Sequence, residues 1–441
     1  MSLGLCLEKV KQNSQIYLAK SISNTSLCLY RIAFGVLLQI IILRFFTKGW
    51  VEKYFLQPKF FFKHFVLQFL PHIPANLMPM LLWFLWGLAF LVTIGLFYRI
   101  SIILFTIFFT YMHFYDISYY LNHYYLVSLL CLLLCFLHVD ERFSVKSLFK
   151  KGDSQSKTFR WQLDIILLQI SIVYFFGFVA KCKSDWLLEA MPLKIWLLRH
   201  SSVPYIGSLL SLKITAYLFS YAGFLFDMLV PFLLISSKHR KLGLFCAYVF
   251  HAATYFLFQI GMFPFIMLVS IHLFIPPHIY DSLLPKLREK KDKPLPRIPV
   301  WKSRFLSVYI LFQILFPLRF LLYPGKLAWT EEGFRFSWNI MIVQKAGYVE
   351  FRVVDTKTGS ILPIEPKDYI TPFQYFMMST QADMIVQFAH FLKNRYQDRQ
   401  IAVYVESFVS LNGKPAKRYI DPKVDLTQVD DSIFSKTWIL E

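Results

Sequence analysis

A lysine stands at position 181, at the end of an apolar run over 165–180, inside the stretch VYFFGFVAKCKSDW. An amine held beside hydrocarbon loses hydration of its charged form, which makes a neutral base near pH 7 accessible. The competing reading is a long side chain that snorkels from a helix end toward lipid headgroups. Lys183 lies farther out, with Asp185 close by. His123, in LNHYYL, adjoins Asn122, whose amide can donate and accept and so fix the ring's tautomer; an interfacial histidine with satisfied bonds fits the same spacing. His251 precedes ATYFLFQIGMFPF, where unwound backbone can line a cavity, although an interhelical hydrogen bond would explain it equally. Asp227 lies in the middle of an apolar run, with Pro231 one turn later, and must pair, hydrate or protonate. Arg31 and Arg319 are its candidate partners, and a structural ion pair and a site role both satisfy the pattern. His113 and Asp116 share a helical face and add to a polar pocket. None of these residues names a reaction alone, and no GxGxxG, P-loop, HExxH or strand-to-helix GxSxG accompanies them.

The elements that must position these residues are apolar helices. The chain is 56% hydrophobic and 19% aromatic with mean hydropathy +0.48, and runs of bilayer length recur, which places it among multispanning membrane proteins. A net charge of +20 suggests nucleic acid, yet Lys and Arg sit mainly in short links between runs and read as topology signals. Six cysteines show neither CxxC pairs nor regular spacing, so neither a disulfide scaffold nor a metal site is expected. Apolar runs cover 26–46, 77–97, 100–119, 124–137, 163–180, 216–235, 242–275 and 305–322. The seventh is long enough to cross twice and carries a break at Gly261-Met262-Phe263-Pro264. Retaining the basic links on one side, among them Lys9, Lys11, Lys20, Arg99, the 142–160 cluster, 238–241 and 286–297, gives about nine transmembrane helices with the C-terminal end outside. Lys48, Lys53, Lys59 and Lys63 contradict that sorting, and YFLQPKFFFKHF is therefore read as an amphipathic helix in the interface. The expected fold is a membrane α-helical bundle followed by a small strand-rich α+β extramembrane domain. Its parts are a cytoplasmic N-terminal segment at 1–25 without a cleaved signal peptide, a transmembrane catalytic domain at 26–323, and a non-cytoplasmic domain at 324–441. In that last part VEFRVVD and IAVYVESFVSLNG read as strands, and 381–396 as a helix.

Taken together, YRIAFG, GLFYRIS, NHYYL, VYFFGFVAKCKSDW and FHAATYFLFQIGMFPF resemble the vitamin K-dependent gamma-glutamyl carboxylase family in order and spacing. The resemblance continues through PLRFLLYPG, WTEEGFRFSWNIM, TPFQYFMMSTQADMIVQFAHFL and SLNGKPAKRYIDPKVDL, wording similar to short bacterial-type members and to the related horizontally transferred transmembrane family. It covers residues 27–426. The resemblance implies oxygenation of vitamin K hydroquinone to the epoxide, driving removal of a γ-proton from a peptide glutamate whose carbanion adds CO2. It implies Lys181 as the initiating base, His123 and Asn122 near the quinone, His251 in the same pocket, and Trp338 at the glutamate-peptide contact; Asp227 and Arg31, from their place in the apolar runs alone, are candidate supporting intramembrane polar groups. Reduced vitamin K, O2 and CO2 are the implied reactants, with no metal. Membrane lipid, quinone and a glutamate-containing protein are the implied partners, with no nucleic acid. The membrane would be cytoplasmic in a bacterium and endoplasmic reticulum in a eukaryote.

The chain departs from the family pattern at defined places. SWNIMIVQK stands where vertebrate members carry SWDMMVHSR, so Val343 replaces a histidine, and Ala180 replaces the lysine that usually precedes Lys181. No cysteine occurs in the first link or the terminal domain, so the disulfide joining them cannot form, and the long carboxyl-terminal region of vertebrate members has no counterpart before Glu441. Two alternatives follow: a quinone epoxidase with altered or absent protein carboxylation, and a non-enzymatic transporter or lipid-binding protein using Asp227 and the broken run, against which the lack of an inverted repeat counts.

Overall fold

The computed structural model describes residues 16–149, 157–284 and 299–441. The N-terminal segment through residue 15, with Lys9, Lys11 and Cys6, lies outside the described residues. So do Lys150, Lys151 and the basic cluster over 286–297.

Apolar runs in lipid leave the backbone only itself to bond with, so they coil. The helices are α1 (Thr25–Thr47), α2 (Met78–Ile94), α3 (Tyr98–His113), α4 (Asn122–Leu134), α5 (Arg160–Lys181), α6 (Lys213–Ile235), α7 (Arg240–Leu257), α8 (Phe263–Ile271) and α9 (Val300–Leu315). Among the described residues, five stretches are long and apolar enough to cross a membrane: Thr25–Thr47, Ala75–Ile94, Arg160–Lys181, Lys213–Ile235 and Val300–Leu322. A sixth is added if Phe263–Phe274 and Pro277–Leu283, bent by 91°, form one span. The expectation of nine is not reached by this measure: α3 and α4 are 16 and 13 residues long, and the double run divides into α7 and the short α8. The division falls where Pro264, at the start of α8, has no N–H to continue a helix.

The links sort onto two faces. On one, β1 (Ser21–Ser23) pairs antiparallel with β2 (Lys157–Phe159), and Asp281 accepts from Ser23 and Thr25 and pairs with Arg142. On the other, the C-terminal domain gathers the first link, the α3–α4 link and the segment after α5. Lys59 N–H donates to the Tyr369 carbonyl, Lys63 N–H to Gln387, the Gln374 amide to Asp116, and Lys414 pairs with Asp185. This corrects the reading of YFLQPKFFFKHF as an interfacial helix. After a short π-helical turn at Glu52–Leu56 the chain runs as a strap whose Phe62 is fully buried in the core of the C-terminal domain, while Phe60 packs on Phe391. Its aromatics find protein, and its lysines are on that domain's side.

Arg31 is fully buried and structural. Its Nε donates to the Val139 carbonyl, Nη1 to those of Val92 and Thr93, and Nη2 to that of Phe143, tying α1 to the end of α2 and the link after α4. Gly95 closes α2 at φ +68°, and a Cβ there would sit 2.6 Å from Arg31 Nη1, so both conformation and space demand glycine. The C-terminal domain is built on β3 (Lys345–Asp355) and β5 (Ile401–Leu411), antiparallel in register from Lys345 opposite Leu411 to Asp355 opposite Ile401. Short strands β4 (Ile361–Leu362) and β6 (Lys417–Arg418) flank them. α10 (Pro372–Met378) starts in a capping box between Thr371 and Gln374, and α11 (Ala382–Arg395) lays Ile385, Phe388 and Leu392 into the same apolar core as Val349, Phe351, Val403 and Val405. Period-two burial along β3 is the signature of a sheet covered on one face.

Candidate functional site

Lys181 is the last residue of α5 and is buried. Its Nζ lies 2.5 Å from Asp227 Oδ2 on α6, donates to the Gly177 carbonyl at 3.3 Å, and stands 5.4 Å from the Trp186 ring centre. Glycines allow this approach. A Cβ on Gly177 would meet Asp227 Oδ2 at 2.8 Å, and one on Gly223 would lie 3.8 Å from Lys181 Cε. Trp186 is held in turn, its indole N–H donating to the Ser220 carbonyl at 3.0 Å and its own carbonyl accepting from Ser220 Oγ at 2.6 Å. The partner of Asp227 is thus Lys181. Neither candidate named from sequence fills that place: Arg31 is spent on the carbonyls above, and Arg319 binds the Phe316 and Arg335 carbonyls and Ser337 Oγ. The two groups form a buried, hydrogen-bonded pair in which each compensates the other's charge and along which a proton can pass.

The pair faces a chamber of about 470 Å³ between α5, α6 and α7. Its walls are mostly apolar, with Phe226 and Phe250 stacked at 3.8 Å and 14°. His251 enters from α7, its Nε2 2.9 Å from the Tyr174 hydroxyl. Its Nδ1 is buried and has no hydrogen-bond partner among the described residues. An orphaned ring nitrogen beside aromatic walls suits a flat ligand carrying a polar ring substituent.

His123 and Asn122 belong to a second chamber of about 450 Å³, which also takes in His113, Asp116 and Arg44. Asn122 does not bond to His123, as the sequence suggested; it accepts from the Tyr120 hydroxyl at 3.2 Å, and its Nδ2 lies 3.5 Å from the Asn339 carbonyl. The His123 ring instead packs against Tyr124 and against the α7–α8 break, where a Cβ on Gly261 would come within 3.3 Å of Cε1. Asp116 receives the Ser118 N–H at 2.8 Å and the Gln374 amide at 2.6 Å; burial outweighs these bonds and pushes its carboxyl up to about 6.

Ile260, Phe263, Ile340 and Met341 line both chambers, so the two adjoin across a shared wall. That wall comes from the α7–α8 break and from the segment FRFSWNIM. Phe336, Trp338 and Met341 in this segment hold φ values of +63°, +56° and +56°, a concentration of strained backbone of the kind packing tolerates at sites. Trp338 lines neither chamber: it is fully buried against Tyr125 with ring centres 5.1 Å apart. Val343 packs in the cluster around Trp186 and Leu193. Tyr174, Trp186 and Arg44 were missed by sequence reasoning, since one tyrosine or tryptophan among many in apolar runs carries no signal, and nothing in the sequence sets Arg44 apart from the other cations that flank apolar runs.

Residues 19–278, more than half of the chain, match the family model described as HTTM domain. Residues 300–441 match the model described as vitamin K-dependent gamma-carboxylase, lumenal domain. The second match starts at the last long apolar helix and takes in the whole sheet domain, which makes the chain a multi-pass membrane protein with a non-cytoplasmic C-terminal domain. No solved structure matches the chain.

Proposed function

The chain belongs to the vitamin K-dependent gamma-carboxylase family, and from that premise we propose that it oxygenates reduced vitamin K to the epoxide in the Lys181 chamber and couples this to γ-carboxylation of a peptide glutamate with O2 and CO2. The observation that carries the reading is the Lys181–Asp227 pair at 2.5 Å on the wall of an apolar chamber that adjoins the one holding His123. The first chamber falls in the size range of small-molecule sites, roughly 300–1,000 Å³. Phe226 and Phe250 offer faces for a fused aromatic ring, while His251 Nδ1 and the lysine offer bonds to its oxygens. Reduced vitamin K, when bound with O2, supplies the oxidising power and the basicity needed to remove a γ-proton.

The protein's own part is proton management. Lys181 receives the proton of an acidic hydroxyl once its own has moved to Asp227, a transfer over a short hydrogen bond. Tyr174 orients His251 through the 2.9 Å bond. The surrounding hydrocarbon excludes water that would quench a strong base or a carbanion. The membrane is the cytoplasmic one in a bacterium and the endoplasmic reticulum in a eukaryote, with the peptide arriving from the side of the C-terminal domain.

A second reading keeps quinone epoxidation and drops protein carboxylation; what favours it is that Trp338 lines neither chamber and that Val343 stands in place of a family histidine. Purified protein in lipid discs, given reduced vitamin K, O2, labelled bicarbonate and a glutamyl peptide, separates the two. Epoxide with label in the peptide supports the first, and epoxide with unlabelled peptide supports the second. No epoxide at all removes both.

A further inference from the structure

We propose that Arg44 is the anchor for the carboxylate of an acidic side chain in the second chamber. The assignment rests on the two-chamber reading above and adds to it the residue that would select a glutamyl over a glutaminyl substrate. Arg44 lies in the last turn of α1 and is half-buried, with its guanidinium 5.1 Å from the centre of the Trp50 ring. Among the described residues it has no hydrogen-bond acceptor and no ion-pair partner for its side chain. Of the other buried cations, Lys183 also has an Nζ without a hydrogen-bond partner among the described residues, but it lines neither chamber, and the rest named here are spent. Arg31 and Arg319 serve carbonyls, Arg335 serves Asp383 and Gln381, Lys181 serves Asp227, and Lys345 serves Glu331.

The wall around Arg44 does not neutralise it. Asp116 is the only carboxylate lining this chamber among the described residues, and it is committed to Ser118 and Gln374. A half-buried guanidinium with open donors, backed by an aromatic ring, can receive a planar anion on two parallel bonds. Arg44 also stands near the point where the chambers meet. The Cβ position of Gly261 lies 3.9 Å from Arg44 Nη1 and 3.3 Å from His123 Cε1, and the next residues of that break form part of the shared wall.

A carboxylate held there has a chemical consequence for its own stem. Removing a proton from the carbon next to a free carboxylate gathers two negative charges on one small group. A guanidinium already bonded to the oxygens offsets the second charge as it develops. The ligand class is therefore a primary carboxylate on a short apolar stem, such as a glutamyl side chain in a peptide.

The test is calorimetric titration of the full chain in lipid discs with a short glutamyl peptide and its glutaminyl counterpart, without vitamin K. The wild-type chain is expected to prefer the glutamyl peptide by roughly tenfold or more, and Arg44→Gln to bind both alike. Equal affinities in the wild type, or a preference that survives in Arg44→Gln, overturn the assignment. Should thermal melting show Arg44→Gln to be unfolded, Arg44→Lys takes its place. It is expected to weaken glutamyl binding several-fold with the glutaminyl peptide unaffected, and an undiminished glutamyl affinity overturns the assignment. Epoxide formation is assayed on the same wild-type preparation. Its absence counts against the proposed function, while the peptide titration still decides the role of Arg44.

Discussion

Arg31 and Lys181 are both cations buried among apolar helices, and the surroundings of their donors separate them. Around Arg31 four main-chain carbonyls from two segments close on the guanidinium, and Gly95 gives up its side chain to let them. Around Lys181 there is one carbonyl, one carboxylate and one ring, and beyond them a chamber of about 470 Å³. A cation whose partners are fixed dipoles cannot release a proton without stranding them. One whose partner is a carboxylate can, because the carboxylate takes the proton. Burial of charge is common to both, and proton exchange is open only to the second.

Four substitutions bear on that contrast. The largest effect is expected from Arg31→Met, which strips a donor from each of four carbonyls at about 1–3 kcal/mol apiece; little folded protein should be recovered in detergent, and a well-behaved, active variant would erase the distinction between the two cations. Lys181→Ala leaves Asp227 buried without its partner and should lower the melting temperature while still yielding folded protein; quinone turnover falls on the order of a thousandfold, with partial recovery on adding small amines that enter the vacated space. Turnover that persists without the lysine would move the chemistry elsewhere. Gly177→Ala brings a methyl to 2.8 Å from Asp227 Oδ2 and must displace the carboxylate; turnover should drop by roughly ten- to a hundredfold with modest loss of stability, and an unchanged rate would show that the pair tolerates separation. The smallest effect concerns Asp116, outside the spans. Its carboxyl is raised to about 6 in the folded chain, so its contribution to stability is present below the ordinary carboxylate value and is lost as pH rises through 6. Asp116→Asn mimics the protonated form and should flatten the fall in melting temperature between pH 4 and pH 7. An unaltered slope would mean that another group sets it.

Much of the architecture was legible because it depends on local pattern. The run over 26–46 became Thr25–Thr47, that over 163–180 became Arg160–Lys181, and 381–396 became Ala382–Arg395. The interruption near Gly261 and Pro264 also fell where a missing N–H demands it. The span count was less secure, since α3 and α4 are too short to qualify by length, and a charge-sorting rule counts turns of the chain rather than helix lengths. The first link was misread because its aromatics alternate with lysines whether the apolar side meets lipid or another domain.

The amino-acid sequence by itself determined which stretches coil, where they break, that β3 and β5 form, and that Lys181 is costly where it stands, because each follows from the period and polarity of neighbouring residues. Only the tertiary structure decided that Asp227 answers Lys181 across 46 positions, that Arg31 closes a clamp and that Arg44 lies against Trp50 with no side-chain acceptor among the described residues. Such pairings depend on which faces of separate helices are turned toward each other, and that rotation is set by the packing of the whole bundle.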